Sequence, residues 1–539
     1  MKTSSRLRWG GFALALLFLN FALTFENSWP TPAVHWEYEL SIELAALLLL
    51  LSLSNARRGP TSPRTLRVLA GLFVVFALGR YGEVTAPALY GRPVNLYWDL
   101  PNVGSVIGMV AGAAPAWIVA AAALAVILVL TLMYAAARWA LGRIDEPLRT
   151  PKTRRIVAVA AGACTVVFIA QAMFAKLPQV PQFSTPVTQT YADQLTRVYD
   201  TFSMSAAARG IPESPQFHSD LGALGNRDVL LVFMESYGRV TYDRPGIARE
   251  VTPARERLEE AARRTGRSVV SAFVTSPTFG GNSWLAHSSL MSGVDVTDPD
   301  RYALLLTQKR PTLASFFEHH GYRAVADMPG IRQGWPEGAF YRFDAMYDAP
   351  TLDYRGPEFG WWRIPDQFSL AAVDAREIQQ PSRKPLFMLF PTLNTHMPWR
   401  PTPPLQSDWV RMLGPNPYDA ADVQQSLTET PAWTDMGSSY AQSFVYSFHM
   451  FADYLLARAD HDFVLILIGD HQPAANVSGE KASWDVPVHV ITRDPEIIKS
   501  LEKSGFVAGV TPAARPISRM NALGQTLLSS FSSPPGPRS

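Results

Sequence analysis

Cysteine is nearly absent from this chain. Among its 539 residues there is one, Cys164, which lies inside an apolar run. A disulfide framework and a thiolate metal site are both excluded, because each needs several cysteines. A small residue packed within an apolar helix is the simplest role for Cys164.

A strong charge of either sign is also lacking. Lysine and arginine number 48 and aspartate and glutamate number 46, so the formal net charge is only +2. This balance gives no reason to expect a nucleic-acid partner. The sequence shows no internal repeat, and its one biased stretch is a short Pro/Ser-rich tail at 531–539, which we expect to be disordered.

Long apolar runs are present, and they are confined to the first third of the chain. Five of them approach the roughly 20 residues that a helix needs to cross a bilayer. Short loops rich in arginine and lysine separate some of them, and such loops stay in the cytoplasm. The predicted spans are Trp9–Phe25, Leu40–Leu53, Val68–Leu78, Ala114–Leu132 and Ile156–Phe174.

Five spans starting in the cytoplasm leave the rest of the chain outside it. The sequence therefore predicts a multi-pass protein of the bacterial inner (cytoplasmic) membrane, with its large C-terminal domain on the periplasmic or extracellular side. We expect a transmembrane domain at 1–175, a linker with an interfacial helix at 176–227, and the outer domain at 228–530.

The outer domain alternates short apolar runs with helical patterns. This alternation predicts an α/β domain with a mostly parallel sheet covered by helices. Ligands of such folds bind beside the carboxyl ends of the strands. The predicted strands are Val229–Met234, Ser268–Val274, Arg323–Ala326, Leu386–Phe390, Phe463–Ile468 and Val486–Ile491.

Residues with metal-binding or catalytic side chains follow four of these strands. Glu235, Ser283, His396 and the pair Asp470-His471 each come after a different apolar run. Any one of them alone could be a helix cap or a solvated turn. Together they converge on one edge of the sheet, and carboxylates and imidazoles are the ligands that Zn²⁺ and Mn²⁺ prefer. A metal site is therefore predicted there.

The turn before Ser283 is suited to an oxyanion. Gly280 and Gly281 permit a sharp turn, and Asn282 or Ser283 then reads as a helix N-cap. The unpaired N–H groups and dipole of that helix favour an anion, phosphate above all, although an ordinary capped turn would use the same residues. His287 lies one helical turn further on, where it either faces the site or packs as a helix histidine.

Four motifs of this sequence resemble those of the alkaline phosphatase superfamily, and more narrowly of its membrane-anchored, sulfatase-like branch. That branch includes lipoteichoic acid synthases, phosphoglycerol transferases of periplasmic glucans and phosphoethanolamine transferases of lipid A. Several of its enzymes share the layout of five spans before an outer catalytic domain. The motifs are Val232-Phe233-Met234-Glu235-Ser236, Gly280-Gly281-Asn282-Ser283-Trp284, Asn394-Thr395-His396-Met397-Pro398 and Gly469-Asp470-His471.

The resemblance implies roles for the residues at the strand ends. Glu235, Asp470 and His471 would bind one divalent metal ion, Mn²⁺ or Zn²⁺ with Mg²⁺ as a further alternative. Ser283 would also contact the metal and act as the nucleophile, in place of the threonine usual in this branch. His396 would contact the phosphoryl group or the leaving group.

The resemblance also implies a substrate-binding set. The run Tyr341-Arg342-Phe343-Asp344-Ala345-Met346-Tyr347 is similar to the segment that supplies an aromatic side chain and an arginine to the lipid headgroup. We expect Trp335, Tyr341 and Arg342 to bind substrate there. Asn394 and His287 complete the expected set.

Two absences narrow the function that the resemblance implies. The Cys-x-Pro-Ser-Arg pattern of true sulfatases is missing, and the disulfides of lipid A phosphoethanolamine transferases cannot form. We expect transfer of phosphoglycerol from phosphatidylglycerol in the membrane to a glycan or polymer acceptor, through a phospho-Ser283 intermediate. A phosphoethanolamine transferase, a phosphodiesterase or phosphatase, and a catalytically inactive membrane scaffold are the alternatives. The oligomeric state stays open.

Overall fold

The chain divides into two compact units, Met1–Met204 and Ser205–Ser539. The computed structural model describes residues 2–29, 31–90, 93–104, 107–108, 111, 115–174, 180–202, 210–360, 363–430, 432 and 435–533. The predicted linker and tail lie partly outside these residues.

The first unit is helical. Five of its helices coincide with the five predicted spans. A short hairpin of β1 (Glu26–Asn27) and β2 (Val34–His35) follows α1. The helices are α1 (Lys2–Thr24), α2 (Ile42–Arg58), α3 (Pro63–Tyr90), α4 (Leu96–Asp99), α5 (Ala116–Leu148), α6 (Pro151–Met173) and α7 (Val187–Phe202).

Three helices in the described part of this unit are long and apolar enough to cross a membrane. They are Pro63–Leu89, Ala116–Leu148 and Pro151–Met173, whereas the apolar part of α1 is only Arg8–Thr24. Helix α2 has 17 residues and ends on two arginines. The structure therefore supports three of the five predicted spans by length and apolar character. Helices α1 and α2 fall short because polar residues occupy their ends.

The second unit is built on one nine-stranded sheet. The strands lie in the order β10-β4-β9-β8-β3-β7-β5-β6, with β11 beside β4, and only β9 and β10 run against their neighbours. The mostly parallel sheet that the sequence predicted is thus confirmed. The strands are β3 (Asp228–Met234), β4 (Ser268–Thr275), β5 (Arg323–Met328), β6 (Ala345–Asp348), β7 (Leu386–Pro391), β8 (Phe463–Gly469), β9 (Asp485–Thr492), β10 (Val507–Ala508) and β11 (Ser518–Arg519).

Helices cover both faces of this sheet. The central strands β3 and β8 are buried at every residue, which explains their unbroken apolar sequences. The helices are α8 (Val240–Asp243), α9 (Pro245–Arg264), α10 (Ser283–Ser292), α11 (Pro299–Leu306), α12 (Leu313–His319), α13 (Ala349–Leu352), α14 (Asp366–Val373), α15 (Trp409–Met412), α16 (Ala420–Leu427), α17 (Gly437–Ala457), α18 (Ala475–Ser478), α19 (Pro495–Lys503) and α20 (Met520–Ser530).

The strand register sets the positions of the candidate site residues. In the ladder, Met234 of β3 pairs with Gly469 of β8, and Phe233 pairs with Pro391 of β7. Because these three strands are parallel, the residues that follow them start at the same edge of the sheet. The fold thus brings Glu235, Asp470 and the loop after β7 together.

Candidate metal centre

Glu235 is the first residue beyond β3, and it is buried at 7% exposure. Directly after it, Ser236 adopts a left-handed backbone with φ of 60°. The Ser236 N–H donates to Asp470 Oδ1 at 2.7 Å, and its carbonyl oxygen accepts from the Tyr440 hydroxyl at 2.8 Å. These bonds fix the turn that ends β3 and aim the Glu235 carboxylate along the sheet edge.

Asp470 and His471 follow β8 in the same way. Asp470 Oδ1 accepts from the backbone N–H groups of Ser236 and His471, each at 2.7 Å. Its other oxygen, Oδ2, is buried without a hydrogen-bond partner. His471 Nδ1 donates to the Gln472 carbonyl oxygen at 2.7 Å, because a carbonyl can only accept. Nε2 is therefore the nitrogen of His471 that faces Glu235 and Ser283.

Ser283 begins helix α10 and points its hydroxyl into this group. Asn282 occupies the N-cap position with φ of 60°, and its side chain makes no capping bond. Ser283 Oγ donates to Glu235 Oε2 at 2.7 Å and lies 3.2 Å from His471 Nε2. The Gly280 N–H donates to the Gln472 carbonyl oxygen at 3.0 Å, which ties the turn before Ser283 to the loop after β8.

The side chains of Glu235, Asp470 and His471 fit a divalent cation. Their ligand atoms lie within 4.8 Å of one another, and all three residues are buried. The unpartnered Oδ2 of Asp470 is a buried polar atom that a cation would satisfy. Two carboxylates and one imidazole are ligands that both Zn²⁺ and Mn²⁺ accept. The predicted ligand set is therefore brought together by the fold.

Charge interactions in this cluster are strong because it is buried. Burial opposes ionisation of Glu235, but the positive charge of His471 outweighs it and holds the pKa of Glu235 well below its usual value. Burial and the charge of Glu235 hold the pKa of Asp470 well above its usual value. Burial works against protonation of His471, but Asp470 and Glu235 raise its pKa to about 9. The ionisation of each of these three side chains thus depends on the other two.

Two further histidines lie beside the cluster. His287 Nε2 is 3.8 Å from Asp470 Oδ2, and its ring packs on Phe233 with centroids 4.3 Å apart, so His287 faces the centre. Burial lowers the pKa of His287 to about 4, which leaves it neutral near pH 7. His396 is close enough for its charge to lower the pKa of Glu235. Its Nδ1 bonds the Met397 carbonyl oxygen at 2.7 Å.

The loop after β7, which carries His396, is held from two sides. On one side, Thr392 Oγ1 accepts from the Glu235 N–H at 3.1 Å and bonds the Thr395 hydroxyl at 3.0 Å. On the other, Asn394 Oδ1 accepts from the Asp366 N–H at 2.8 Å. Neither Asp366 nor Thr392 was predicted from the sequence to belong to the site. An acidic residue after Pro365 at the start of an apolar helix was the available signal for Asp366.

Trp335, Tyr341 and Arg342 make their described contacts elsewhere. Tyr341 is buried at 2% exposure, hydrogen-bonds Ser288 and stacks on Trp335 with centroids 5.5 Å apart. Arg342 has φ of 62° and pairs with Glu318 at 3.3 Å. Its left-handed backbone directs it into a cleft of about 870 Å³ that Lys309 and Arg310 also line. Among the described residues, none of these contacts reaches the metal ligands.

Comparison with known proteins finds one matching family model. The sulfatase family model matches residues 227–500, just over half of the chain. No curated protein matches.

Several solved structures also match this chain at low identity. An alkaline phosphatase superfamily protein from Vibrio parahaemolyticus is 16% identical with a TM-score of 0.37, and the match covers 60% of this chain and 68% of that one. A lipoteichoic acid synthase from Listeria monocytogenes is 12% identical with a TM-score of 0.36, covering 55% and 71%. A phosphoglycerol transferase from Streptococcus pyogenes is 11% identical with a TM-score of 0.34, covering 60% and 94%. By its family model, this chain belongs to the sulfatase family.

Proposed function

We propose that this chain is a metal-dependent phosphotransferase that moves phosphoglycerol from phosphatidylglycerol to an extracytoplasmic glycan or polymer. The observation that carries the proposal is the position of the Ser283 hydroxyl, 2.7 Å from Glu235 Oε2 and 3.2 Å from His471 Nε2. A hydroxyl inside a cluster of metal ligands and at a helix N-terminus is placed as a nucleophile toward phosphate.

The residues of the centre have different proposed roles. Glu235, Asp470 and His471 would hold Mn²⁺ or Zn²⁺, which supplies Lewis-acid chemistry by lowering the pKa of a nearby hydroxyl and offsetting phosphate charge. Ser283 begins α10, and the unpaired N–H groups of a helix N-terminus favour phosphoryl oxygens. His287 stands beside Asp470 as a neutral neighbour.

In the first half of the reaction, Ser283 Oγ attacks the phosphorus of the lipid headgroup. The new Oγ–P bond forms as the bond between phosphorus and the diacylglycerol oxygen breaks. The Ser283 proton leaves toward the carboxylate it already bonds, Glu235. His396 Nε2 gives a proton to the departing diacylglycerol oxygen.

In the second half, the acceptor hydroxyl attacks the phospho-Ser283 group. Its oxygen bonds to phosphorus as the Ser283 Oγ–P bond breaks, and the serine oxygen regains its proton from Glu235. His396, now neutral, takes the proton of the acceptor hydroxyl. One histidine thus acts as acid and then as base, and it ends the cycle protonated as it began.

The apolar first unit would anchor the chain in the membrane that contains the lipid donor. A phospholipid donor is confined to the bilayer, and tethering the catalytic unit there raises its effective concentration. We propose that the expected five spans hold, with a transmembrane domain at 1–175 and the catalytic domain 228–530 on the periplasmic or extracellular side. The helices of the first unit, three of them of spanning length, support this part of the proposal.

The test uses the full chain in vesicles that contain phosphatidylglycerol and phosphatidylethanolamine. Release of diacylglycerol together with a phosphoglycerol-modified acceptor is the expected result. Phosphoethanolamine on the acceptor would replace the proposed donor, and free glycerol phosphate at the full rate would make the enzyme a hydrolase. Ser283→Ala should abolish every product.

A matched control is Ser438→Ala. Ser438 also lies in the first turn of a helix, and its hydroxyl donates to a glutamate, Glu250, at 3.4 Å. This pair is outside the metal centre, so the variant should keep wild-type activity. Loss of activity in both serine variants would point to general destabilisation and would remove Ser283 as the nucleophile.

A further inference from the structure

Asp366 is the first residue of α14, and its carboxylate is fully buried. Oδ1 accepts from the Leu393 N–H at 2.6 Å, and Oδ2 accepts from the Asn394 N–H at 2.9 Å. In return, the Asp366 N–H donates to Asn394 Oδ1 at 2.8 Å. Three hydrogen bonds therefore join the start of α14 to the loop after β7.

The loop that Asp366 holds is the one that carries His396. The His396 N–H donates to the Leu393 carbonyl oxygen at 2.9 Å, which closes a turn directly after the bonded residues. The same loop reaches the metal centre through Thr392, whose hydroxyl accepts from the Glu235 N–H at 3.1 Å. The position of His396 relative to Glu235 thus depends on a segment fixed at one end by β7 and at the other by Asp366.

The carboxylate of Asp366 is costly to bury. In the described part of the chain, Asp366 forms no ion pair with a lysine, arginine or histidine, and burial raises its pKa to about 7 while the two N–H groups oppose that shift. A buried carboxylate without a cation destabilises the fold unless its hydrogen bonds compensate. An amide side chain of the same size has one acceptor oxygen, so only the carboxylate can accept from both the Leu393 and Asn394 N–H groups with separate oxygens.

We infer that Asp366 is a positioning residue that sets His396 for proton transfer to the leaving oxygen. This inference rests on the proposed function, because it assigns a role within the same reaction. His396 Nδ1 donates to the Met397 carbonyl oxygen, so the imidazole ring is tied to this loop. Rotation or displacement of the loop by about 1 Å would misplace Nε2, and displacements of that size cost about 100-fold in rate.

The experiment compares two soluble phosphodiesters that carry the same phosphoglycerol group. One has a p-nitrophenolate leaving group, which departs without protonation, and the other has an ethanol leaving group, which needs a proton. Asp366→Asn should lower kcat for the ethyl diester by about 10- to 100-fold with KM unchanged, and should leave the nitrophenyl diester almost unaffected. An equal loss on both diesters would overturn the inference.

Two further variants separate positioning from folding. In a His396→Ala background, Asp366→Asn should cause no additional loss, because residues that act through one group are not additive. A full additional loss there would contradict the inference. Asp408→Asn is the control, since the Asp408 carboxylate also accepts from two N–H groups at a helix start, at 2.9 and 3.1 Å, and it should behave as wild type.

The outcomes also distinguish this inference from the proposed function. If Asp366→Asn does not fold, judged by its melting temperature and metal content, Asn394→Ala removes the reciprocal bond from the other side and should show the same leaving-group pattern. If the variants show this leaving-group pattern on the soluble diesters but the wild-type enzyme does not use phosphatidylglycerol, the proposed donor is refuted and the inference stands.

Discussion

Asp470→Asn should stabilise the metal-free protein and destabilise the metal-bound protein. The ligand atoms of Glu235, Asp470 and His471 lie within 4.8 Å of one another. Two ionised carboxylates at 4.8 Å repel by about 3.5 kcal/mol at an effective dielectric constant of about 20. Without metal, the native protein must bear this repulsion or keep a proton on Asp470. The amide keeps the Oδ1 acceptor for the two N–H groups and removes the charge.

The metal-free variant should therefore be more stable than the metal-free native protein, by at most about 3.5 kcal/mol. At about 2 °C per kcal/mol for a unit of this size, its melting temperature should rise by up to about 7 °C. With metal at about 1,000 times its dissociation constant, the native protein gains about 4.1 kcal/mol that the variant lacks, which exceeds the advantage of about 3.5 kcal/mol, so the order reverses.

Thermal unfolding of the full chain in detergent, after chelation and after addition of Mn²⁺ or Zn²⁺, measures both states. The reasoning is refuted if Asp470→Asn is less stable than the native protein in both conditions. Such a result would mean that Asp470 serves the fold through its hydrogen bonds and that the cluster does not hold a cation.

Three other variants test neighbouring parts of the account. Gly469→Ala should destabilise the outer domain by about 3 kcal/mol or more and abolish metal binding, because the added Cβ would lie 1.8 Å from a backbone carbonyl oxygen. Gly246→Ala is the control, because a Cβ added there has nothing within 4 Å, and it should be neutral in the same melting assay. His396→Ala should lower kcat by about 10²- to 10⁴-fold in the lipid assay with metal content unchanged. Asp228→Asn should cost about 3 kcal/mol in urea unfolding, because it breaks a buried pair with Arg383 at 2.6 Å.

The effect of Asp228→Asn should also depend on pH. Burial opposes ionisation of Asp228, but its bonds from His461 and Arg383 outweigh burial and lower its pKa from the ordinary 3.8. The ionised carboxylate thus stabilises the fold fully above that ordinary value, and the contribution fades as the pH falls below it toward the lowered pKa. The difference between native and variant should be constant at neutral pH and shrink below about pH 4. A constant difference down to pH 2 would contradict this assignment.

The candidate metal ligands could be predicted because they follow buried strands directly. The unbroken apolar runs of β3 and β8 fix both the sheet and the point where each strand ends, so Glu235 and Asp470 are placed by local sequence. The position of Ser283 followed from the glycine turn before it. These signals are local in the chain, and a parallel sheet then converts them into one site.

Other features depend on contacts that no local pattern encodes. The bonds between Asp366 and the His396 loop join residues 27 and 28 positions apart. Arg342 pairs with Glu318 and has a left-handed backbone that favours glycine, and an arginine side chain gives no sign of that conformation. The number of spans was hard to predict because the apolar parts of α1 and α2 are close to the minimum length.

The most direct test of the central claim is mass spectrometry of the Ser283 peptide. The full-length enzyme would be incubated with Mn²⁺ and vesicles of phosphatidylglycerol, without acceptor, and then quenched in acid and digested. A phosphoglycerol adduct on Ser283 that disappears when acceptor is added is the predicted result. An enzyme that releases diacylglycerol under these conditions while Ser283 stays unmodified, or is modified equally in Glu235→Gln, would contradict the account.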